Sequence, residues 1–168
     1  TFCNLIARFW DVNSGEITIG GKNIKDYTVE NLMNSISMVF QDVYLFEDTV
    51  ENNIKFGNPN ANMDEVIAAA EKARCHDFIM KLPDKYQTVI EEGGTNLSGG
   101  ERQRISIARA ILKDAPIIIF DEATANIDPE NEEQLKDAIE SLIEDKTVIM
   151  IAHRLFTIIN ADNILVID

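Results

Sequence analysis

The sequence predicts an α/β fold with a largely parallel sheet. Segments with strand character alternate with segments of helical spacing along most of the chain, which is typical of that class. Two strand candidates, residues 117–120 and 147–152, are mostly apolar and β-branched, as expected of strands covered on both faces. The chain has 168 residues, of which 45% are hydrophobic. That length and composition suffice for one domain with a sizeable core.

The individual elements follow from the spacing of the apolar residues. Recurrence at i, i+3 and i+4 predicts four helices, over residues 1–10, 63–74, 101–113 and 129–143. In the first helix this spacing turns four side chains inward, those of Leu5, Ile6, Phe9 and Trp10. Alternating or wholly apolar runs predict five strands, over residues 16–19, 36–40, 117–120, 147–152 and 163–167.

One segment interrupts the alternation of strands and helices. Residues 57–95 hold helices and loops only, and residues 82–100 are rich in Gly and Pro. The sequence therefore predicts a core made of residues 1–56 and 96–168, with residues 57–95 inserted as a helical subdomain.

The charge and the cysteines exclude several classes of protein. A net charge of −14 argues against a nucleic-acid partner, because phosphate binding needs clustered Lys and Arg. Cys3 and Cys75 lie far apart and have no metal-binding spacing, which favours buried thiols in a reducing compartment. No apolar run approaches the ~18 residues of a membrane span, and no signal peptide is visible.

Residues 97–101 read Leu-Ser-Gly-Gly-Glu and predict the start of a helix. Ser98 at the N-cap and Glu101 three residues later form a capping-box pattern. Gly99 and Gly100 carry no side chains that would obstruct the free N–H groups and the positive dipole of the helix start. A plain cap and an anion site, most simply for phosphate, are both open and compatible.

Polar side chains follow three of the predicted strands. Asp121 and Glu122 come directly after residues 117–120, at the carboxyl edge of the sheet, where α/β proteins bind ligands. A carboxylate there suits Mg²⁺, and a second one is placed to orient or deprotonate a water molecule. Gln41 and His153 follow two other strands. Taken singly, each of these residues is also explained as a polar strand end or a structural side chain.

The order of these motifs resembles that of the nucleotide-binding domains of ABC transporters, over essentially the whole chain. Residues 97–101 resemble the signature motif and residues 117–121 the Walker B strand, with Glu122 as the catalytic carboxylate. Gln41 matches the Q-loop and His153 the switch histidine. The resemblance implies a P-loop NTPase-like fold, in which the chain is a partial ABC ATPase domain.

The resemblance extends to the exporter type, with two departures. Residues 42–54 resemble the segment after the exporter Q-loop, although a polar loop followed by a short helix explains them too. Residues 88–94 resemble the exporter X-loop, and the first departure is that Glu91 stands where that loop has a Gly. The second departure is a missing motif. No G-x-x-x-x-G-K-[ST] motif is present, and Thr1 resembles its tail. We therefore expect a piece incomplete at both ends that does not bind ATP in its own site, and micromolar affinity in a titration would contradict this.

The resemblance implies an ATP-binding and ATP-hydrolysing domain, at the cytoplasmic face of a membrane, that powers the export of an unknown substrate. Two such domains would form a homo- or heterodimer with ATP between the P-loop of one and Ser98–Gly100 of the other. Asp121 and Gln41 would help hold Mg²⁺, Glu122 would act on the attacking water, and His153 would steady the γ-phosphate. The transmembrane domain would be fused upstream.

Two other functions and one residue role stay open. A soluble ABC-type ATPase is one alternative, although no long coiled coil separates Gln41 from Ser98. A non-hydrolysing structural partner is the other, against which Glu122, His153 and the signature argue. Asp128 matches the D-loop residue that links the two nucleotide sites, but as the residue before Pro129 it is also a good helix N-cap.

Overall fold

The computed structural model describes residues 2–40, 42–121, 129–151 and 161–166. Its helices are α1 (Phe2–Ile6), α2 (Val29–Asn34), α3 (Val50–Lys55), α4 (Met63–Lys72), α5 (His76–Ile79), α6 (Gly99–Lys113) and α7 (Pro129–Ile143). Its strands are β1 (Thr18–Ile19), β2 (Lys22–Asn23), β3 (Ile36–Phe40), β4 (Asp48–Thr49), β5 (Val89–Ile90), β6 (Ile117–Asp121) and β7 (Thr147–Ile151). Short 3₁₀ turns cover Ile24–Asp26, Lys85–Gln87 and Glu92–Gly94.

A parallel sheet in the order β3–β6–β7 forms the centre of the fold. The middle strand β6 is buried on both faces, since Ile118, Ile119 and Phe120 are fully excluded from solvent. β-branched side chains suit such a doubly covered strand, because their restricted rotamers pack well on a pleated surface. The predicted α/β fold with a parallel sheet is confirmed.

Alternate side chains of β6 point to two apolar clusters. Ile118 and Phe120 pack into the larger one, with residues of α3, α4, α6 and α7. Ile119 packs into the smaller one, with Cys3 and Ile6 of α1 and with residues of α2 and β3. Helices therefore cover both faces of the sheet, and α6 runs along the larger cluster from its start beside the sheet edge.

The first helix is shorter than predicted. It ends at Ile6, and the N–H groups of Arg8 and Phe9 close it by donating to the carbonyls of Leu5 and Asn4, at 3.1 and 2.8 Å. Arg8 adopts the left-handed conformation usual for such a helix end, with φ 55°. Its guanidinium stabilises that conformation by donating to the carbonyls of Ile24, Lys25 and Tyr27.

Four further predictions about elements were wrong. Phe9 and Trp10 follow the shortened helix and are 53% and 72% exposed, not inward. Residues 163–166 form no strand and are exposed, because no other strand pairs with them in the described part of the chain, and residue 167 lies outside it. Strand β7 is only half-buried because it lies at the edge of the described sheet. Strand β5 also falls within a stretch predicted to hold helices and loops only.

We expect neither cysteine thiol to react in the folded chain. Cys3 and Cys75 are both buried, and burial raises the pKa of the Cys75 thiol to about 12. Because the thiolate is the nucleophile, iodoacetamide at pH 8 should modify neither cysteine until the chain is denatured, as mass spectrometry would show. Labelling of Cys75 in the native chain would contradict the close packing of α4 and α5 around it.

Candidate functional site

The Leu-Ser-Gly-Gly-Glu segment forms the start of α6, as predicted. Ser98 is the N-cap, with φ −65° and ψ 160°. Its Oγ accepts from the Glu101 N–H at 3.3 Å, and the Glu101 carboxylate accepts from the Ser98 N–H at 2.8 Å. The reciprocal capping box is therefore complete, and it fixes the backbone of the turn.

The start of α6 is open to an anion at Ser98 and Gly99. Both residues are exposed, and among the side chains that the structure describes only Arg102 comes within 4 Å of a Cβ added to Gly99, with its Nη2 at 3.9 Å. The N–H groups of Gly99 and Gly100 have no carbonyl partner within the helix, since they belong to its first turn. Together with the helix dipole, this geometry suits a phosphate group.

The three strands of the parallel sheet end at the same level. Phe40 of β3 pairs with Asp121 of β6, and Asp121 pairs with Ile151 of β7. Gln41 and Glu122 are the next residues in the sequence, and His153 is two positions beyond Ile151. The three strands that precede these predicted site residues therefore end together at one edge of the sheet.

Four predicted site residues lie outside the described residues: Gln41, Glu122, Asp128 and His153. For Asp121 the structure describes the backbone at the end of β6. The assignment of Mg²⁺ to Asp121 and Gln41 therefore stays a prediction. Among the side chains that the structure describes, no group of three His, Cys, Asp or Glu residues is arranged to hold a metal ion.

A buried side-chain amide joins α6, the helix that begins at the Leu-Ser-Gly-Gly-Glu segment, to the edge of the sheet. Gln103 is 5% exposed, and its Nε2 lies 3.5 Å from the carbonyl oxygen of Phe40. The following residue, Arg104, is 4% exposed, and its guanidinium lies 5.3 Å from the ring centre of Phe78 in α5. Burial lowers the pKa of the Arg104 guanidinium, which nevertheless stays charged at neutral pH.

The two exporter-like segments are joined to each other. Strand β4 pairs with β5, and the N–H of Val50 donates to the carbonyl of Thr88 at 3.0 Å. Residues 42–54 form a loop, the short strand β4 and most of α3. The α3 residue Asn53 ties this segment to α6, because its backbone carbonyl accepts from Arg109 at 2.9 Å.

The sequence predicts no role for the buried polar side chains of α6, Gln103 and Arg104. Gln103 and Arg104 lie four residues before the buried Ile107 and Ala108, so helical spacing places them on the inward face. A polar residue at a position that helical spacing turns inward is the signal that could have identified them. Arg102 gives no such signal, because its contacts depend on how the preceding loop folds.

Within residues 2–40, 42–121, 129–151 and 161–166, no helix combines the length and apolar character needed to cross a bilayer.

The comparisons with known proteins agree on one family. The family model described as ABC transporter matches residues 1–125. The chain is 53% identical over 167 residues to an ATP-dependent lipid A-core flippase of Syntrophus aciditrophicus, covering 99% of this chain and 28% of that protein. It is 51% identical over 168 residues to a putative multidrug export ATP-binding/permease protein of Staphylococcus aureus, covering 100% of this chain and 29% of that protein.

A solved structure has the same fold. A bacterial Atm1-family ABC exporter with ATP bound superimposes with a TM-score of 0.91 at 42% identity, over 99% of this chain and 29% of that one. This match confirms the P-loop NTPase-like fold that the motifs imply. The chain spans less than a third of each of these three proteins. The family model and the identities together show that the chain belongs to the ABC transporter family.

Proposed function

We propose that this chain is part of the ATP-binding and ATP-hydrolysing domain of an exporter. Family membership implies ATP binding, and the relatives are named as an ATP-dependent flippase and a putative export protein. Their names differ in substrate, so the proposal leaves the transported molecule unassigned. The domain acts at the cytoplasmic face of a membrane, joined to a transmembrane part.

The observation that carries the proposal is the exposed, capped turn at the start of α6. Ser98 and Gly99 face solvent, and the capping box holds them in place without occupying the outer side of the turn. A phosphate there meets backbone N–H groups and the positive end of a helix of 15 residues. An exposed turn of this kind is available to a nucleotide held by a second copy.

The other half of the site is proposed at the sheet edge. The oxygen ligands of Asp121 and Gln41 fit Mg²⁺, which prefers carboxylate and carbonyl oxygens. When bound, that ion would neutralise charge on the phosphates. Glu122 orients the attacking water and accepts its proton, and His153 contacts the γ-phosphate. These 168 residues contain no G-x-x-x-x-G-K-[ST] motif.

ATP is proposed to bind between two such domains arranged head to tail, in a homodimer or a heterodimer. Asp128 then lies at the link between the two sites. The helical subdomain of residues 57–95 and the exporter-like segment at 42–54 transmit closure to the transmembrane part. Exposed aromatic rings of Tyr44, Phe46 and Phe56 form a contiguous patch there, with adjacent ring centres 4.9 and 5.4 Å apart, and such patches mark interaction surfaces.

Two substitutions of Ser98 separate phosphate binding from helix capping. Asp caps a helix as well as Ser does, whereas Ala costs about 1 kcal/mol. Asp also adds a negative charge where the triphosphate binds, so kcat/KM for ATP should fall about 100-fold in Ser98→Asp. We expect Ser98→Ala to be the less stable but the more active variant, in ATPase and thermal-unfolding assays of a full-length transporter that contains this sequence.

A second N-cap provides the control. Thr28 caps α2 by accepting from the Asn31 N–H at 3.2 Å, outside the proposed site. Thr28→Asp should leave both stability and ATPase activity unchanged. If Ser98→Asp is as active as the wild-type protein, the turn binds no nucleotide phosphate and the proposal is wrong.

A further inference from the structure

The Arg102 side chain is bonded to the loop that leads into the turn at Ser98. The Nη1 of Arg102 donates to the carbonyl of Leu97 at 2.7 Å and to that of Gly94 at 3.3 Å. The Leu97 N–H also donates to the Gly94 carbonyl, at 3.0 Å. One guanidinium nitrogen thus fixes both ends of the loop that enters Ser98.

The loop conformation leaves room for that guanidinium only because residue 94 is a glycine. Gly94 is buried, with φ +74°, and a Cβ there would lie 2.6 Å from the Cδ of Arg102 and 3.1 Å from a methyl of Leu45. Gly93 has nearly the same backbone conformation, with φ +70°, yet a Cβ on it would meet nothing within 4 Å. The two glycines therefore differ in their contact with Arg102 rather than in backbone strain.

The same loop is bonded to the segment that follows Gln41. The Gly93 N–H donates to the carbonyl of Leu45 at 3.0 Å, and the Tyr44 hydroxyl donates to the Glu92 carboxylate at 3.4 Å. A continuous set of hydrogen bonds therefore runs from residues 44–45 through the loop to Arg102 and to the turn at Ser98.

We propose that Arg102 is a positioning residue, which holds the turn at Ser98–Gly100 in register with the loop after Gln41 through its bonds to Gly94 and Leu97. This inference rests on the proposed function, since the turn is taken to bind ATP. The Nη1 of Arg102 is bonded to two backbone carbonyls of the loop, so its part in this proposal is to position the turn. Its removal should loosen the turn and weaken ATP capture, while the groups that act on water keep their places.

The expected result is a rise in KM for ATP. In a full-length transporter that contains this sequence, Arg102→Ala should raise KM about tenfold and change kcat little. Arg102→Lys keeps one charged donor, so its KM should fall in between. Gly94→Ala should resemble Arg102→Ala because its Cβ displaces the guanidinium, whereas Gly93→Ala should keep the wild-type KM. Combining Gly94→Ala with Arg102→Ala should add little to either single change.

A side-chain hydrogen bond at the other end of α6 provides a control for loss of stability alone. The Lys113 Nζ donates to the Ile36 carbonyl at 2.6 Å, and Lys113→Met should lower the thermal midpoint without raising KM. A KM that stays at the wild-type value in Arg102→Ala, with only the midpoint lowered as in Lys113→Met, would overturn the proposal.

Amide hydrogen exchange tests the positioning role without turnover. Exchange over residues 97–100 should speed up in Arg102→Ala and Gly94→Ala but not in Gly93→Ala, because only the first two lose the guanidinium bonds. Equal exchange in the wild-type protein and Arg102→Ala would overturn the inference, whatever the ATPase assay shows. A wild-type protein that hydrolyses no ATP, yet shows this exchange pattern, would contradict the proposed function and leave the positioning of the turn supported.

Discussion

Replacing Glu122 with glutamine should reduce kcat for ATP hydrolysis about 10³-fold while ATP still binds. Gln keeps the size of the side chain and can still donate and accept hydrogen bonds, but it cannot take a proton from the attacking water. The sequence position favours this role, because Glu122 comes directly after β6, a strand that ends level with β3 and β7. The measurement is steady-state ATPase activity beside nucleotide binding, in a full-length transporter that contains this sequence.

The matched control is the same substitution on an exposed helix face. Glu140 lies on α7, where its carboxylate is 3.9 Å from Lys136, and exposed pairs of this kind contribute little. Glu140→Gln should therefore keep wild-type activity. Near-normal turnover in Glu122→Gln would remove Glu122 from the reaction, and a loss of ATP binding together with turnover would show that Gln had altered the site rather than the chemistry.

The predictions that succeeded depend on short-range patterns. The capping box of Ser98 and Glu101 needs only two residues in one turn, and it forms as predicted. The central strand was recognisable because three consecutive fully buried side chains, residues 118–120, can only be apolar. The parallel register then follows from the alternation of strands and helices, since parallel neighbours need a crossover between them.

The predictions that failed depend on contacts distant in sequence. Helix α1 ends early because the Arg8 guanidinium donates to three carbonyls at residues 24–27. Those acceptors lie at least 16 residues away, so no local pattern around Arg8 predicts the contact. The role of Arg102 is hidden for the same reason, because it requires the left-handed conformation of Gly94. The apolar composition of residues 163–166 predicts a strand, but a strand forms only where a neighbouring strand supplies hydrogen bonds.

A close approach of two backbones makes Gly57 the most demanding position among the glycines whose surroundings the structure describes. A Cβ added there would lie 2.1 Å from the carbonyl oxygen of Arg109 and 3.2 Å from the amide nitrogen of Lys113. These two atoms face each other in one turn of α6, where an N–H bonds to the carbonyl four residues earlier. Gly57→Ala should therefore lower the free energy of unfolding by about 3 kcal/mol, because a backbone rather than a side chain must move.

Chemical denaturation of Gly57→Ala and Gly99→Ala would test this directly. Both glycines have ordinary negative φ, but the Cβ at Gly99 has 3.9 Å of clearance, so Gly99→Ala should change stability by less than about 0.5 kcal/mol. Equal stability of the two variants would show that α6 yields easily at this contact. A large difference would mean that the residues just after α3 and the C-terminal part of α6 are held rigidly together, with Arg109 bonded to Asn53 beside them. The exporter-like segment and the helix that begins at the proposed phosphate-binding turn would then move as one body, as the proposed transmission of closure requires.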